Sequence, residues 1–317
     1  MKKIVICGVW HVHAEGYTKT AMEHAEVIGV WDADEERKTA FCEKLGLKAF
    51  ADLGELLASG ADGAIVCAAT DIHADVIVQL AEAKMDIFTE KVLALSEADC
   101  DRIEDAVQKN GVQFVISLVQ KYTAGPRTVK AIMDSGELGK ISYVRFRNCH
   151  SGSSRAWLPP HFYSAKECGG GAMIDLGAHG MYLIDWLCGV PVTVKSVFGN
   201  ASVNEEANRR NPDGVEDNAV TVMGFAGGVI AVNETGFVSG NCPMMLEVDG
   251  ENGFVRFTAG SGVIKRTAST GGKDEAVPML DAQPAPLLQF LTDKILPGCG
   301  IAEARALTHL MVEAYRG

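Results

Sequence analysis

The sequence lacks any Cys-x-x-Cys pair, any long uninterrupted apolar run and any surplus of positive charge, and each absence removes a class of function. Its nine cysteines are scattered from Cys7 to Cys299. An odd, dispersed set fits free thiols in a reducing compartment better than a disulfide framework, and most read as small core residues. No stretch approaches the roughly 20 apolar residues that a spanning helix needs. The opening Met1-Lys2-Lys3 with Ile4 to Trp10 has the outline of a signal peptide. The run breaks at His11 without a small-residue cleavage site, so a first buried strand and a cytoplasmic protein are expected. With 29 Lys and Arg against 41 Asp and Glu, the formal net charge is −12. Such a surface repels nucleic acid and anionic membranes, so neither is an expected partner.

What is present is ordinary globular composition: 317 residues, 47% hydrophobic and 22% charged. A single core rarely grows past ~250 residues, so two domains are expected, with the division at 1–119 and 120–317. In the first part, β-branched runs at Lys3–Cys7, Val27–Trp31, Gly63–Ala68, Asp86–Thr89 and Gln113–Leu118 alternate with helical patterns, which signals βαβ units. Asp34 can cap a helix that Gly46 stops, and Ser96 with Asp99 resembles a capping box before a helix ending at Gly111. The fold class is therefore α/β, with an N-terminal Rossmann-type doubly wound parallel sheet whose ligands bind beyond the carboxyl ends of the strands.

Beyond Lys121 the pattern changes. Helices are expected at Arg127–Ser135 and after Gly171. Segments at Ile141–Asn148, Thr193–Asn200, Ala219–Phe225, Val229–Glu234, Met245–Asp249 and Gly253–Thr258, separated by turns such as Ala226-Gly227-Gly228, suggest a large, mostly antiparallel sheet in an α+β domain. Glu205–Gly214 reads as an exposed loop.

A dinucleotide loop places glycines where the first strand turns into a helix, because backbone N–H groups must approach the pyrophosphate. Here the turn is Gly8-Val9-Trp10-His11-Val12-His13-Ala14, which keeps only the first glycine of Gly-x-Gly-x-x-Gly. Trp10, His11 and Val12 are candidates to touch a cofactor and equally candidates to pack a tight turn. Asp32 ends the second strand, where a carboxylate can accept from both adenosine ribose hydroxyls and would repel a 2′-phosphate. NAD is therefore expected over NADP, although an acid at this place also serves as a helix cap.

Three later segments carry a resemblance. Thr70-Asp71-Ile72-His73 and Phe88-Thr89-Glu90-Lys91-Val92 look like paired Thr-Pro…His and Glu-Lys-Pro motifs, with Asp71 and Val92 standing where prolines are usual. Gly169-Gly170-Gly171-Ala172-Met173-Ile174-Asp175-Leu176-Gly177-Ala178-His179 matches a Gly-Gly-Gly-x-x-x-Asp-x-Gly-x-His helix, the most specific motif in the chain. Val215-Glu216-Asp217-Asn218-Ala219 and Val248-Asp249-Gly250-Glu251-Asn252-Gly253 complete the set. Together they resemble the glucose-fructose oxidoreductase, inositol dehydrogenase and MocA-like family, in order from Ile4 to about Tyr315.

That resemblance implies an oxidoreductase that exchanges a hydride between NAD and a secondary alcohol or ketone of a sugar, sugar derivative or cyclitol. Gly8, Trp10, His11, Val12, Asp32, Ala69, Thr70, His73, Glu90 and Lys91 would form the cofactor site. Lys91 would sit beside the nicotinamide and stabilise charge on the reacting oxygen, with Asp175 and His179 as the proton-handling pair. The physics permits these roles. Four residues apart on a helix, Asp175 and His179 share a face, and a carboxylate beside an imidazole raises its basicity and orients it. The next positions on that face, Tyr182 and Leu183, are not usual metal ligands, and no metal is expected.

Tyr182 stands where sugar and inositol members often carry Asp, and Lys121-Tyr122 replaces a usual Arg. Tyr122 and Tyr182, with Trp157, His161 and Tyr163 from a Pro-containing loop, are candidates to contact a substrate ring and its hydroxyls, or simply to anchor that loop by packing. The resemblance also implies a homodimer or homotetramer through the C-terminal sheet. It covers two other activities: glycoside cleavage by transient oxidation, elimination and reduction, and a dinucleotide-binding regulator without catalysis.

Overall fold

The computed structural model describes residues 1–201 and 205–316. It divides into two units, Met1–Leu118 with Pro284–His309, and Val119–Gln283 with Leu310–Gly317.

The first unit is built on five strands, β1 (Lys3–Cys7), β2 (Glu26–Trp31), β3 (Gly63–Val66), β4 (Asp86–Thr89) and β5 (Phe114–Ile116). Their order is β2-β1-β3-β4-β5, and every pairing is parallel. β1 and β3 are buried along almost their whole length, as a sheet covered on both faces requires. The helix Glu35–Leu45 starts on Asp34, whose side chain accepts from the Arg37 N–H, and stops at Gly46 in a left-handed conformation. Ser96 accepts from the Asp99 N–H and Gly111 ends the helix Glu97–Asn110, so the capping signals in the sequence act as expected.

The linear division at 119/120 differs from the structure in one respect. Pro284–His309 returns to the first unit because its apolar side chains Leu287, Phe290, Leu291 and Cys299 are buried there, and the Ile116 N–H donates to the Cys299 carbonyl.

The second unit carries eight strands: β6 (Ile141–Cys149), β7 (Thr193–Gly199), β8 (Asn218–Gly224), β9 (Ile230–Gly236), β10 (Met245–Gly250), β11 (Gly253–Thr258), β12 (Gly262–Thr267) and β13 (Glu275–Val277). The order is β13-β12-β11-β10-β6-β9-β8-β7, with β6 and β9 the one parallel pair among the described residues of this sheet. Sequence patterning locates β6 to β11 and misses β12 and β13. β13 is only three residues long and β12 is polar at Lys265 and Arg266, so neither shows an apolar run. The side chains alternate strictly along β8. Ala219 and Met223 face inward with Thr221, while Val220 and Val222 face out with Val197 and Ile230 from the neighbouring strands.

The expected loop at Glu205–Gly214 contains a helix, Glu205–Arg210. Acids at its start and Arg209 and Arg210 at its end suit the helix dipole, and Arg210 donates to the Ala156 and Leu158 carbonyls. No described helix is long and apolar enough to cross a membrane. All nine cysteines are free, and six are buried.

Candidate active site

In the first unit, the chain leaves β1 through Gly8, whose φ is +86°. A Cβ there would lie 2.4 Å from the Ala68 backbone, so only glycine lets the two strand ends approach this closely. Trp10 and His11 are buried behind it, while Val12 is 48% exposed. The His11 N–H donates to the Cys67 carbonyl, which ties the turn to the end of β3.

Asp32 is buried at the end of β2. One of its oxygens accepts from the Val9 N–H at 2.6 Å, and the other from the Asp34 N–H at 2.8 Å and from the Arg37 guanidinium at 2.9 Å. The carboxylate is thus fixed by the turn it would serve, and the oxygen that takes only the Val9 N–H retains acceptor capacity for a ribose hydroxyl. Arg37 is absent from the sequence expectations. Its position on the first turn of the following helix becomes meaningful only once that helix is seen to fold back on Asp32. Gly8 and Asp32 therefore fit a dinucleotide in the residues themselves.

Ala69 is buried and Thr70 half-buried at a 3-10 turn after β3. His73 is wholly buried. Its Nδ1 meets the Val92 and Leu93 carbonyls at 3.1 and 3.2 Å, and its Nε2 meets the Ala68 carbonyl at 3.1 Å. Burial pushes the His73 imidazole down, partly offset by those carbonyls. The ring thus joins the turn after β3 to the segment just after Lys91. Lys91 is itself buried, and its backbone N–H donates to Glu90 Oε2 at 3.0 Å. The Lys91–Val92 peptide is cis.

Glu90 gathers more partners than the sequence suggests. Its Oε1 accepts from the Tyr17 hydroxyl and lies 2.7 Å from His13 Nδ1 and 3.9 Å from His11 Nδ1. Burial alone would raise this carboxyl, but His11, His13 and Lys91 hold it well below the usual carboxylate range. Tyr17 and His13 are not recognisable in the sequence because a strand end and a helix start must meet before they form a group.

In the second unit, the glycine-rich motif is explained by close approaches. A Cβ on Gly171 would lie 2.0 Å from the Glu216 carbonyl oxygen, and one on Gly170 would lie 2.0 Å from the Tyr315 hydroxyl. Glu216 Oε1 accepts from the Gly171 and Met173 N–H groups, each at 2.9 Å, and from Tyr315 at 2.6 Å. Buried Glu216 thereby supplies the acceptor that the start of the following helix requires.

That helix opens with a π turn, Met173–Gly177, before continuing as Ala178–Cys188. Asp175 sits in the widened turn, so its four-residue spacing to His179 is not that of a regular α-helix. His179 is buried, and its Nδ1 lies 2.8 Å from the Tyr182 hydroxyl, which also accepts from the Gln120 N–H at 3.0 Å. The residue three positions on, read from the sequence as a substrate contact, is thus a hydrogen-bond partner of the imidazole.

Among the other substrate candidates, Tyr122 is buried and its carbonyl accepts from the Gln283 N–H. Tyr163 is 1% exposed, bonded to Ser153 Oγ at 2.8 Å and packed edge-on against Phe237. Its burial and these partners fit the packing alternative, in which the ring anchors the loop. Trp157 is 52% exposed beside His150, at 4.6 Å between ring centres, and His161 is half-buried with its carbonyl accepting from Cys168 Sγ.

A parallel five-stranded sheet with a glycine turn and an acidic strand end, followed by a large mostly antiparallel sheet, defines a dinucleotide-binding protein of the Rossmann type joined to an α+β unit. The family model for an oxidoreductase family with an NAD-binding Rossmann fold matches residues 2–118, and the GFO/IDH/MocA C-terminal domain matches residues 127–256. The chain belongs to the Gfo/Idh/MocA oxidoreductase family.

It is 28% identical over 223 residues to a myo-inositol 2-dehydrogenase of Thermotoga maritima, covering 70% of this chain and 63% of that one. It is also 28% identical over 239 residues to a 2,7-anhydro-N-acetylneuraminate hydratase of Mediterraneibacter gnavus, covering 73% and 60%. The chain therefore matches less than two thirds of the length of either relative. The fold is shared with the aldose-aldose oxidoreductase of Caulobacter crescentus, with a TM-score of 0.80, 19% identity, and coverage of 99% of this chain and 96% of that one.

Proposed function

We propose that this chain is an NAD-dependent dehydrogenase acting on a secondary alcohol of a cyclitol, sugar or sugar derivative. The observation that carries the reading is the buried His179, whose Nδ1 is held by the Tyr182 hydroxyl. When that ring donates Nδ1–H to Tyr182, Nε2 carries the lone pair and can accept a hydroxyl proton. Lys91 supplies positive charge to the alkoxide-like oxygen as the C–H bond breaks, and a buried ammonium does this at small reorganisation cost. Asp175 supports the imidazolium electrostatically. Gly8 and Asp32 hold NAD, with Trp10, His11, Val12, Ala69, Thr70 and Glu90 around them. When bound, the nicotinamide takes up or returns the hydride. Trp157 and His161 meet the substrate. The name of the Thermotoga relative supports a cyclitol.

The name of the hydratase relative supports a second reading, in which oxidation is transient and no net NADH is released, because hydration involves no net redox change. One experiment separates the readings. The protein is incubated with NAD and a panel of cyclitols, sugars and glycosides while absorbance of NADH and loss of glycoside are followed. Steady NADH build-up, lost by roughly 10²–10⁴-fold in His179→Ala, supports the dehydrogenase. Product without NADH supports the transient route. NAD binding with no turnover of any compound, or unchanged turnover in Lys91→Ala, overturns both.

The outward face of β7, β8 and β9, with Val197, Val220, Val222 and Ile230 exposed, supports pairing of that sheet with a second copy in a homodimer or homotetramer.

A further inference from the structure

We propose that His11, His13 and Glu90 form a binding site for one divalent transition-metal ion of the zinc type. The inference rests on the first unit alone, and two of its residues, His11 and Glu90, are ones that the proposed function sets around NAD. The sequence gives no hint of it, since two histidines two apart in a loop and a glutamate 77 residues later acquire a common locus only when β1 and β4 lie in one sheet.

One donor atom from each of the three side chains lies within 4.8 Å of the others. Two imidazoles and one carboxylate are the donor set that Zn²⁺, Co²⁺, Ni²⁺ and Fe²⁺ favour, whereas Mg²⁺ and Ca²⁺ take oxygen ligands. Metal bonds of about 2.0–2.1 Å imply ligand-to-ligand separations of about 3.3 Å in a tetrahedron. The separations from Glu90 Oε1, 2.7 Å to His13 Nδ1 and 3.9 Å to His11 Nδ1, bracket that value. Each of these two separations is about 0.6 Å from it, a distance that side-chain rotation covers.

The donor atoms are also placed for a ligand. His11 Nδ1 accepts from the His13 N–H at 3.2 Å. The bond is long and is given up on coordination. The carboxylate is already held from behind: Tyr17 donates to Oε1, the Lys91 N–H donates to Oε2, and Tyr17 is anchored in turn to Ser117 Oγ at 2.7 Å. Outer hydrogen bonds of this kind fix a metal-ligating carboxylate and are costly to remove. Glu90 is 1% exposed, but the His13 side chain is 49% exposed, which provides both an access path and room for a water as fourth ligand.

The alternative is that protonated His13 and Glu90 form an ion pair with no metal. The chelator-stripped 317-residue chain, without NAD, is titrated with Zn²⁺ in competition with a chromophoric chelator, and the one-to-one complex is examined by X-ray absorption. The proposal expects one equivalent bound below micromolar, two imidazoles and only nitrogen or oxygen scatterers, and at least tenfold weaker binding in each of His11→Ala, His13→Ala and Glu90→Gln. His309→Ala, at an exposed histidine paired with Glu97, should bind as the parent does. Failure to bind an equivalent, sulfur in the coordination sphere, or undiminished affinity in folded His11→Ala and His13→Ala would overturn it. The spectrum of the parent protein decides the matter even where a variant does not fold.

Discussion

The Tyr182 hydroxyl lies 2.8 Å from His179 Nδ1 while accepting the Gln120 N–H, so one buried phenol links the imidazole to the backbone. Tyr182→Phe removes the hydrogen-bond partner that orients the imidazole. A net hydrogen bond is worth about 1 kcal/mol, which predicts a kcat loss on the order of tenfold with little change in KM. The acidic limb of the pH–kcat profile should also shift. A purely structural role for Tyr182 would lower stability and leave that limb in place.

Asp32 is predicted to exclude the 2′-phosphate and simultaneously to occupy Arg37. In Asp32→Ser the NAD KM should rise at least tenfold, and the released guanidinium should allow NADP to be used. Initial rates with both cofactors test this. An unchanged NAD-to-NADP preference would rule out the assignment of Asp32.

Gly171→Ala sets a Cβ against the Glu216 carbonyl, which is backbone and cannot swing aside. Overpacking of this kind predicts a loss of about 2–3 kcal/mol, measurable as a lower denaturant midpoint. Gly46→Ala, with no atom near its Cβ but φ at +67°, should cost less, about 1 kcal/mol.

Glu137 accepts from Lys265, Ser269 and Thr267, and these bonds lower its carboxyl to about 2. Its folded value lies below the ordinary ~4.3, so its stabilising contribution is present above about pH 4.3 and is lost as the pH falls towards 2. Glu137→Gln should therefore be less stable than the parent at pH 6, with the gap closing below pH 4. Because the carboxylate is partly exposed, salt should shrink the gap as well. Chemical denaturation across this range checks both effects.

The open face of the second sheet gives a fifth expectation. Val220→Glu with Val222→Glu should lower the mass measured by light scattering to that of one chain, without altering the circular dichroism spectrum. A parent protein that is already monomeric would remove the basis for association.

Strand positions in the first unit were legible because buried parallel strands read as short apolar runs, and the helix caps at Asp34 and Ser96 acted locally, as caps do. The acidic strand end and the glycine-rich helix were legible for the same reason, each lying within one stretch of chain. What was not legible depended on long-range meetings. The pairing of Glu90 with His13 and Tyr17, the capping of the glycine helix by Glu216, and the return of Pro284–His309 all join residues far apart in the chain. The π turn at Met173–Gly177 changed the face of Asp175 in a way that a period of 3.6 residues cannot anticipate. Tyr163 illustrates the remaining ambiguity: an aromatic residue in a loop has the same local pattern whether it meets a ligand or, as here, Phe237.

The return of Pro284–His309 to the first sheet bears on how the protein is made. While the ribosome is still producing residue 250, the five parallel strands lack the Leu287, Phe290 and Leu291 side chains that belong to their core. The nucleotide-binding half must therefore wait, incompletely buried, for some 165 intervening residues to be synthesised, which makes the nascent chain dependent on protection from aggregation until the late segment arrives.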